Sequence, residues 1–159
     1  MSMTRELVGL AVSIGVCLAV AAIGSALTLP SIGTWYASLN KPSWNPPNWV
    51  FGPVWSTLYL SMAVAVWLVW RNRGFSVGLV PLTLFAVQLV LNCAWSGLFF
   101  GLRQPWWAFA EIVLLWCAIL STIISFARVS SVASVILLPY LAWVTFAAVL
   151  NFTVAKMNS

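Results

Sequence analysis

Five apolar runs, each roughly 21 to 23 residues long, divide this chain, and each is long enough to cross a hydrocarbon core of about 30 Å. They cover Leu7 to Leu29, Val50 to Trp70, Leu79 to Phe100, Trp106 to Ala127 and Val132 to Val154. Inside lipid, backbone polar groups must be paired within the chain, and the period of these runs is not that of barrel strands. The expected fold is therefore all-α: one integral membrane domain over residues 1–159, a bundle of five transmembrane helices. Composition agrees, with 63% hydrophobic and only 6% charged residues and a mean hydropathy of +1.03. A soluble domain would carry about 25% charged residues.

Seven Lys or Arg stand against two acidic residues, for a net charge of +5. The basic residues are single and scattered between apolar runs, so they read as interfacial anchors, and a nucleic-acid partner is excluded for want of a basic patch. They do not fix orientation: Arg5, Arg71, Arg73 and Arg128 fall on one side, Lys41, Arg103 and Lys156 on the other. The chain has no His, which removes His-based metal and acid–base sites, and no metal site is expected. Cys17, Cys93 and Cys117 each lie inside an apolar run without CxxC spacing and read as small buried hydrophobes. The run of small residues Gly24-Ser25-Ala26 raises a cleaved leader, but the first run is long for one, and Glu6 offsets Arg5. A retained first helix is expected.

Short breaks at Arg71-Asn72-Arg73-Gly74, at 101–105 and at 128–131 imply that consecutive spans are antiparallel neighbours. Ala11, Gly15 and Ala19 in the first span have small-xxx-small spacing, which serves packing within the bundle or a homodimer. The one long connection, residues 30–49, holds Trp35, Tyr36, Trp44 and Trp49, stiffened by Pro42, Pro46 and Pro47. It reads either as a rigid aromatic lid or as an interfacial aromatic belt. Asn45 before Pro46 is the expected cap of the second span.

Within the membrane, Gln88, Asn92, Trp95 and Phe99 share one helical face, as do Tyr140, Trp143, Ala147 and Asn151. Trp55 and Tyr59 pair at i, i+4, as do Trp107 and Glu111. Glu111 lies about 8 Å deep with no cation at comparable depth, so it is protonated or bonded to neutral donors. Converging in the half nearest the long loop, these faces would form an aromatic pocket for a large flat apolar ligand, with Lys41 and Arg103 placed to meet carboxylates at its edge. Packed helix contacts joined by satisfied polar groups are the alternative.

The run WYASLNKPSWNPPNWVFGPVWSTLY from Trp35, the run QLVLNCAWSGLFFGLRQ from Gln88 and the run LPYLAWVTFAAVLNF from Leu138 resemble, in order, the signature segments of the TspO/translocator-protein family, also called the peripheral-type benzodiazepine receptor family. The resemblance implies a five-helix membrane bundle that binds porphyrins, notably protoporphyrin IX, as receptor, sensor or transporter, with no resident cofactor. It implies that Tyr36, Asn92, Trp95, Trp107, Ala147 and Leu150 line the ligand site. It also implies that Trp55 and Trp143 serve a light-dependent porphyrin breakdown reported for bacterial members. Some members bind cholesterol, but Phe152 stands where the sterol pattern asks for Tyr between Leu150 and Lys156, so sterol binding is expected to be weak. A proton-coupled exporter of aromatic cations using Glu111 is a further alternative.

Overall fold

The computed structural model describes residues 3–73 and 79–159; Gly74, expected at the end of the second span, lies outside them. Five helical segments are long and apolar enough to cross a membrane. The elements are α1 (Met3–Ile32), α2 (Trp35–Ser38), α3 (Asn48–Arg73), α4 (Leu79–Ser96), a π-helical segment (Gly97–Gly101), α5 (Pro105–Ala127), α6 (Ser131–Ile136) and α7 (Leu138–Met157). The chain is an integral, multi-pass membrane protein.

The spans fall where the apolar runs place them, and the departures have local causes. The fifth span is two helices, because Pro139 sits in the first turn of α7 and cannot donate to the preceding turn. The third span unwinds at its end: Leu102 N donates to Gly97 O at 2.7 Å, and Arg103 follows at φ 56°, which closes the turn into α5. The second span starts at Asn48 rather than after Asn45. Asn45 instead accepts the Tyr36 hydroxyl proton on Oδ1 at 3.0 Å and donates from Nδ2 to Pro46 O at 3.0 Å, so it holds the loop rather than capping the helix.

Around the bundle the order is α3, α1, α4, α5, then α6 and α7, which return to α3 through α6. The second and third spans are thus not adjacent as short connections imply: α1 stands between α3 and α4. These two reach each other through long side chains across the centre, Tyr59 Oη to Asn92 Oδ1 at 2.6 Å and Gln88 Nε2 to Met62 Sδ at 3.7 Å. Ala11, Gly15 and Ala19 face outward, away from the bundle. Of the cysteines, Cys17 is buried, Cys93 half-buried and Cys117 exposed, the last against expectation.

At the end remote from the long loop, α1 and α3 are clamped. Arg71 Nε lies 3.3 Å from Glu6 Oε2, Trp67 Nε1 donates to Glu6 O at 3.0 Å, and the Trp70 ring lies directly over Gly9, leaving no room there for a side chain. A single polar chain fixes the centre. Tyr59 donates to Asn92, Asn92 Nδ2 donates to Tyr140 Oη at 2.8 Å, and Tyr140 donates to Gln88 Oε1 at 2.8 Å. All four residues in it are buried, where a hydrogen bond is electrostatically stronger than in water.

Candidate ligand-binding cavity

In the half of the bundle nearest the long loop, the helices enclose a cavity of ≈ 390 Å³, within the range of small-molecule sites. Aromatic rings from five elements line it. Tyr36 comes from α2, Phe51, Trp55 and Tyr59 from α3, Trp95 from α4 and Trp143 from α7, with Phe99 and Phe100 from the π segment. The widened turn matters here, since it presents both phenylalanines to the cavity side. Their rings pack 4.8 Å apart, and Phe99 stacks on Trp95 at 5.3 Å. Polar groups are few. Asn92 and Asn151 reach the wall with their hydrogen bonds largely committed, Asn151 accepting from Trp95 Nε1 at 2.9 Å and donating to Pro105 O at 2.8 Å. Trp143 Nε1 is buried without a partner among the described residues.

The loop lies over one end. Tyr36 is buried beneath it against Phe99 and Phe100. Burial raises its phenol above the ordinary tyrosine value, against the lowering effect of the bond to Asn45. Trp44 packs on Phe146 at 5.9 Å, and Phe146 on Trp143 at 5.3 Å, so the loop has the packing of a lid.

Ten of the residues placed at the expected site line this one cavity: Tyr36, Trp55, Tyr59, Asn92, Trp95, Phe99, Trp143, Ala147, Leu150 and Asn151. Gln88, Tyr140, Trp107 and Glu111 do not, and each has a physical reason. Gln88 is 1% exposed and accepts from Tyr140 behind the wall. Tyr140 is 1% exposed and sits behind the wall, its hydroxyl spent between Asn92 and Gln88. Trp107 is 69% exposed on the outside of the bundle, because α5 buries the face carrying Ala108, Glu111, Ile112 and Leu115, and Trp107 lies at its edge. Glu111 is buried, yet neither carboxyl oxygen has a hydrogen-bond partner among the described residues. It belongs to α5, and no described residue of α5 reaches the cavity.

The two cations expected at the ligand's edge are elsewhere too. Lys41 Nζ donates to Leu39 O at 2.8 Å and to Tyr36 O, and lies 4.9 Å over the Tyr36 ring; it closes the end of α2. Arg103 is exposed in the connection before α5. Phe152, at the sterol-pattern position, faces outward against Phe109 at 5.2 Å, whereas Leu150 faces the core.

Sequence reasoning missed α1. Leu18, Ala21, Gly24, Ser25, Thr28 and Leu29 form much of one wall. A Cβ on Gly24 would meet Ser96 Oγ at 3.6 Å and Tyr59 Oη at 3.9 Å, ordinary contact distances. The signal was the small-residue run Gly24-Ser25-Ala26, which lets a helix approach its neighbours closely.

The chain is thus a polytopic membrane protein, a five-span helical bundle with an aromatic, ligand-sized cavity under a packed loop. The sequence profile of the TspO/MBR family matches residues 13–157. The chain is 46% identical over 160 residues to the tryptophan-rich protein TspO of Chlorobaculum tepidum, covering 98% of this chain and 99% of that one. It is 46% identical over 126 residues to the human translocator protein, covering 78% and 75%. It is 37% identical over 124 residues to the tryptophan-rich sensory protein of Cereibacter sphaeroides, covering 78% and 77%. The chain belongs to the TspO/MBR family.

Proposed function

We propose that this protein binds tetrapyrroles of the protoporphyrin IX type, and related large flat aromatic molecules, in the cavity beneath the loop, and acts as a membrane sensor, receptor or transporter in tetrapyrrole or stress metabolism. The observation that carries this reading is the cavity itself: ≈ 390 Å³ walled by Tyr36, Trp55, Trp95, Phe99 and Trp143. Offset stacking on such rings favours a flat conjugated ligand over a flexible chain. The name tryptophan-rich sensory protein, carried by a relative, is consistent with it.

The test is titration of protoporphyrin IX into purified protein in the dark, read by quenching of tryptophan fluorescence. Saturable quenching is expected, and Ala147→Phe, which projects a ring into the cavity, should weaken it at least about tenfold, or 1.4 kcal/mol. Quenching that never saturates rejects the reading.

One observation favours a second activity, light-driven breakdown of the bound porphyrin. Trp55 and Trp143 line the same cavity, and Trp55 continues into Tyr59 and Tyr140 at ring separations of 5.9 and 6.3 Å. Electron-rich indoles beside a photo-excited macrocycle are suited to redox exchange with it. Phe at both positions should abolish light-dependent loss of the Soret band while leaving dark binding in place; unchanged loss rejects this activity. Export coupled to Glu111 draws no comparable support, since that carboxyl does not border the cavity. The outward stripe Ala11, Gly15 and Ala19 supports a homodimer as a further part of the proposal.

A further inference from the structure

The cavity borders the outside in two directions, and they are built differently. Toward the aqueous side it is covered by the loop, which is tied down at several points. Asn40 N donates to Asn158 Oδ1 at 2.9 Å, and Asn158 Nδ2 donates back to Asn40 O at 2.8 Å and to Val154 O at 2.8 Å. This side-chain amide pairs with the loop backbone as a strand would, and fastens the loop to the end of α7. Lys41 closes α2 from within, Tyr36 bonds Asn45, and Ser31 Oγ donates to Phe100 O at 2.8 Å. Lifting the loop would break several of these bonds together, each worth about 1 kcal/mol net, and would expose the Trp44–Phe146 contact to water.

Toward the bilayer the wall is incomplete. The far ends of α1 and α3 are clamped through Glu6, Arg71 and the Trp70 ring over Gly9. Near the loop, Ser25 and Leu29 of α1 and Gly52 and Ser56 of α3 line the cavity and are also exposed, whereas Gly24 and Tyr59 on the same helices line it and are buried. A residue that does both stands at a mouth. A Cβ placed on Gly52 would meet nothing within 4 Å. Gly52 and Ser56 lie about 6 and 12 Å along α3 from its first residue, so this mouth opens within the hydrocarbon depth, not above it.

We propose that ligands pass between the cavity and the bilayer sideways, through the opening between α1 and α3, while the loop stays fastened by Asn158. The ligand class is then molecules already partitioned into lipid, and Gly52 and Ser56, both small, keep the passage clear. The inference rests on the proposed binding of flat aromatic ligands and specifies how they arrive.

The experiment uses the full chain in lipid nanodiscs, with protoporphyrin IX as probe, and follows association and dissociation by stopped-flow quenching in the dark. Gly52→Phe and Ser56→Phe narrow the passage; Asn158→Ala unfastens the loop. Because Gly52 precedes Pro53, where a side chain strains helical backbone, Ser56→Phe carries the test should Gly52→Phe fold poorly. Both Phe variants should slow association and dissociation together, each by about tenfold or more, within the range over which such rates vary among variants of one site. Asn158→Ala should leave both rates within about twofold on the same scale. Rates unaffected by the Phe variants, or accelerated by Asn158→Ala, overturn the lateral route while the binding reading stands. A wild type that shows no saturable binding overturns the binding reading and this inference with it.

Discussion

Tyr140→Phe removes one oxygen from the centre of the bundle and nothing else. The ring stays, and with it the contact to Trp55 at 6.3 Å. Two polar atoms lose their partners: Asn92 Nδ2, which donated to the hydroxyl at 2.8 Å, and Gln88 Oε1, which accepted from it at 2.8 Å. Gln88 is 1% and Asn92 4% exposed, so water does not replace the lost group. In a water-soluble core each orphaned group would cost about 1–3 kcal/mol. In a bilayer the unfolded chain also finds partners, and interhelical bonds average only about 0.6 kcal/mol. Two such losses give an expected destabilisation of about 1–2 kcal/mol. Gln88→Leu added to Tyr140→Phe removes one of the orphans, so the double variant should lose less than the sum of the singles, by about 0.5 kcal/mol or more. The assay is reversible unfolding in mixed micelles with increasing denaturing detergent, followed by helical circular dichroism. Protoporphyrin affinity should move by less than about threefold, since the hydroxyl is behind the cavity wall rather than in it. A single variant as stable as wild type, or strictly additive losses, would refute the claim that Tyr140 joins Asn92 and Gln88 into one network.

Other substitutions test neighbouring points. Glu111→Leu should leave stability unchanged or raise it by about 1 kcal/mol, because it removes a buried carboxyl whose oxygens lack partners among the described residues; a loss of that size by thermal unfolding would reveal a partner. Lys41→Met frees the Tyr36 and Leu39 carbonyls and should speed amide hydrogen exchange within residues 35–45 only; faster exchange throughout the spans would show that Lys41 supports more than the loop. Gly15→Leu enlarges the outward stripe of α1, where a Cβ meets nothing within 4 Å. It should leave the protomer folded but lower the dimer fraction in light scattering of detergent-solubilised protein, and an unchanged fraction removes α1 as the interface. The Tyr36 phenol is raised by burial, so its burial in the neutral form contributes in full at every pH below the ordinary phenol value of about 10. That contribution is lost only as pH rises through the higher folded value; an ultraviolet titration difference between wild type and Tyr36→Phe that appears below the ordinary value would contradict this.

Much of the site was legible because helical periodicity is local. Gln88, Asn92, Trp95 and Phe99 recur at steps of 3 and 4, and so do Tyr140, Trp143, Ala147 and Asn151; a polar or aromatic stripe on a lipid-embedded helix must turn inward. Periodicity assigns a face, however, not a neighbour. Tyr140 and Asn92 were each placed inward, but only their 2.8 Å contact spends the Tyr140 hydroxyl within the bundle. Trp107 and Glu111 share spacing with true wall residues, yet α5 packs on the far sides of α4 and α7 and does not border the cavity.

By itself, then, the sequence determined the solvent, the number of spans, their ends to within a few residues and the aromatic character of the loop. All of these follow from transfer free energies and backbone chemistry that act over one helix or one turn. The tertiary structure alone decided the order of helices around the bundle, with α1 between α3 and α4. It thereby made α1 a cavity wall, left Glu111 outside, and set a mouth facing lipid beside a fastened loop. Those outcomes depend on which faces meet across the bundle, and in a bilayer, where every apolar face is equally soluble, that choice falls to close packing and a few interhelical hydrogen bonds between residues far apart in the chain.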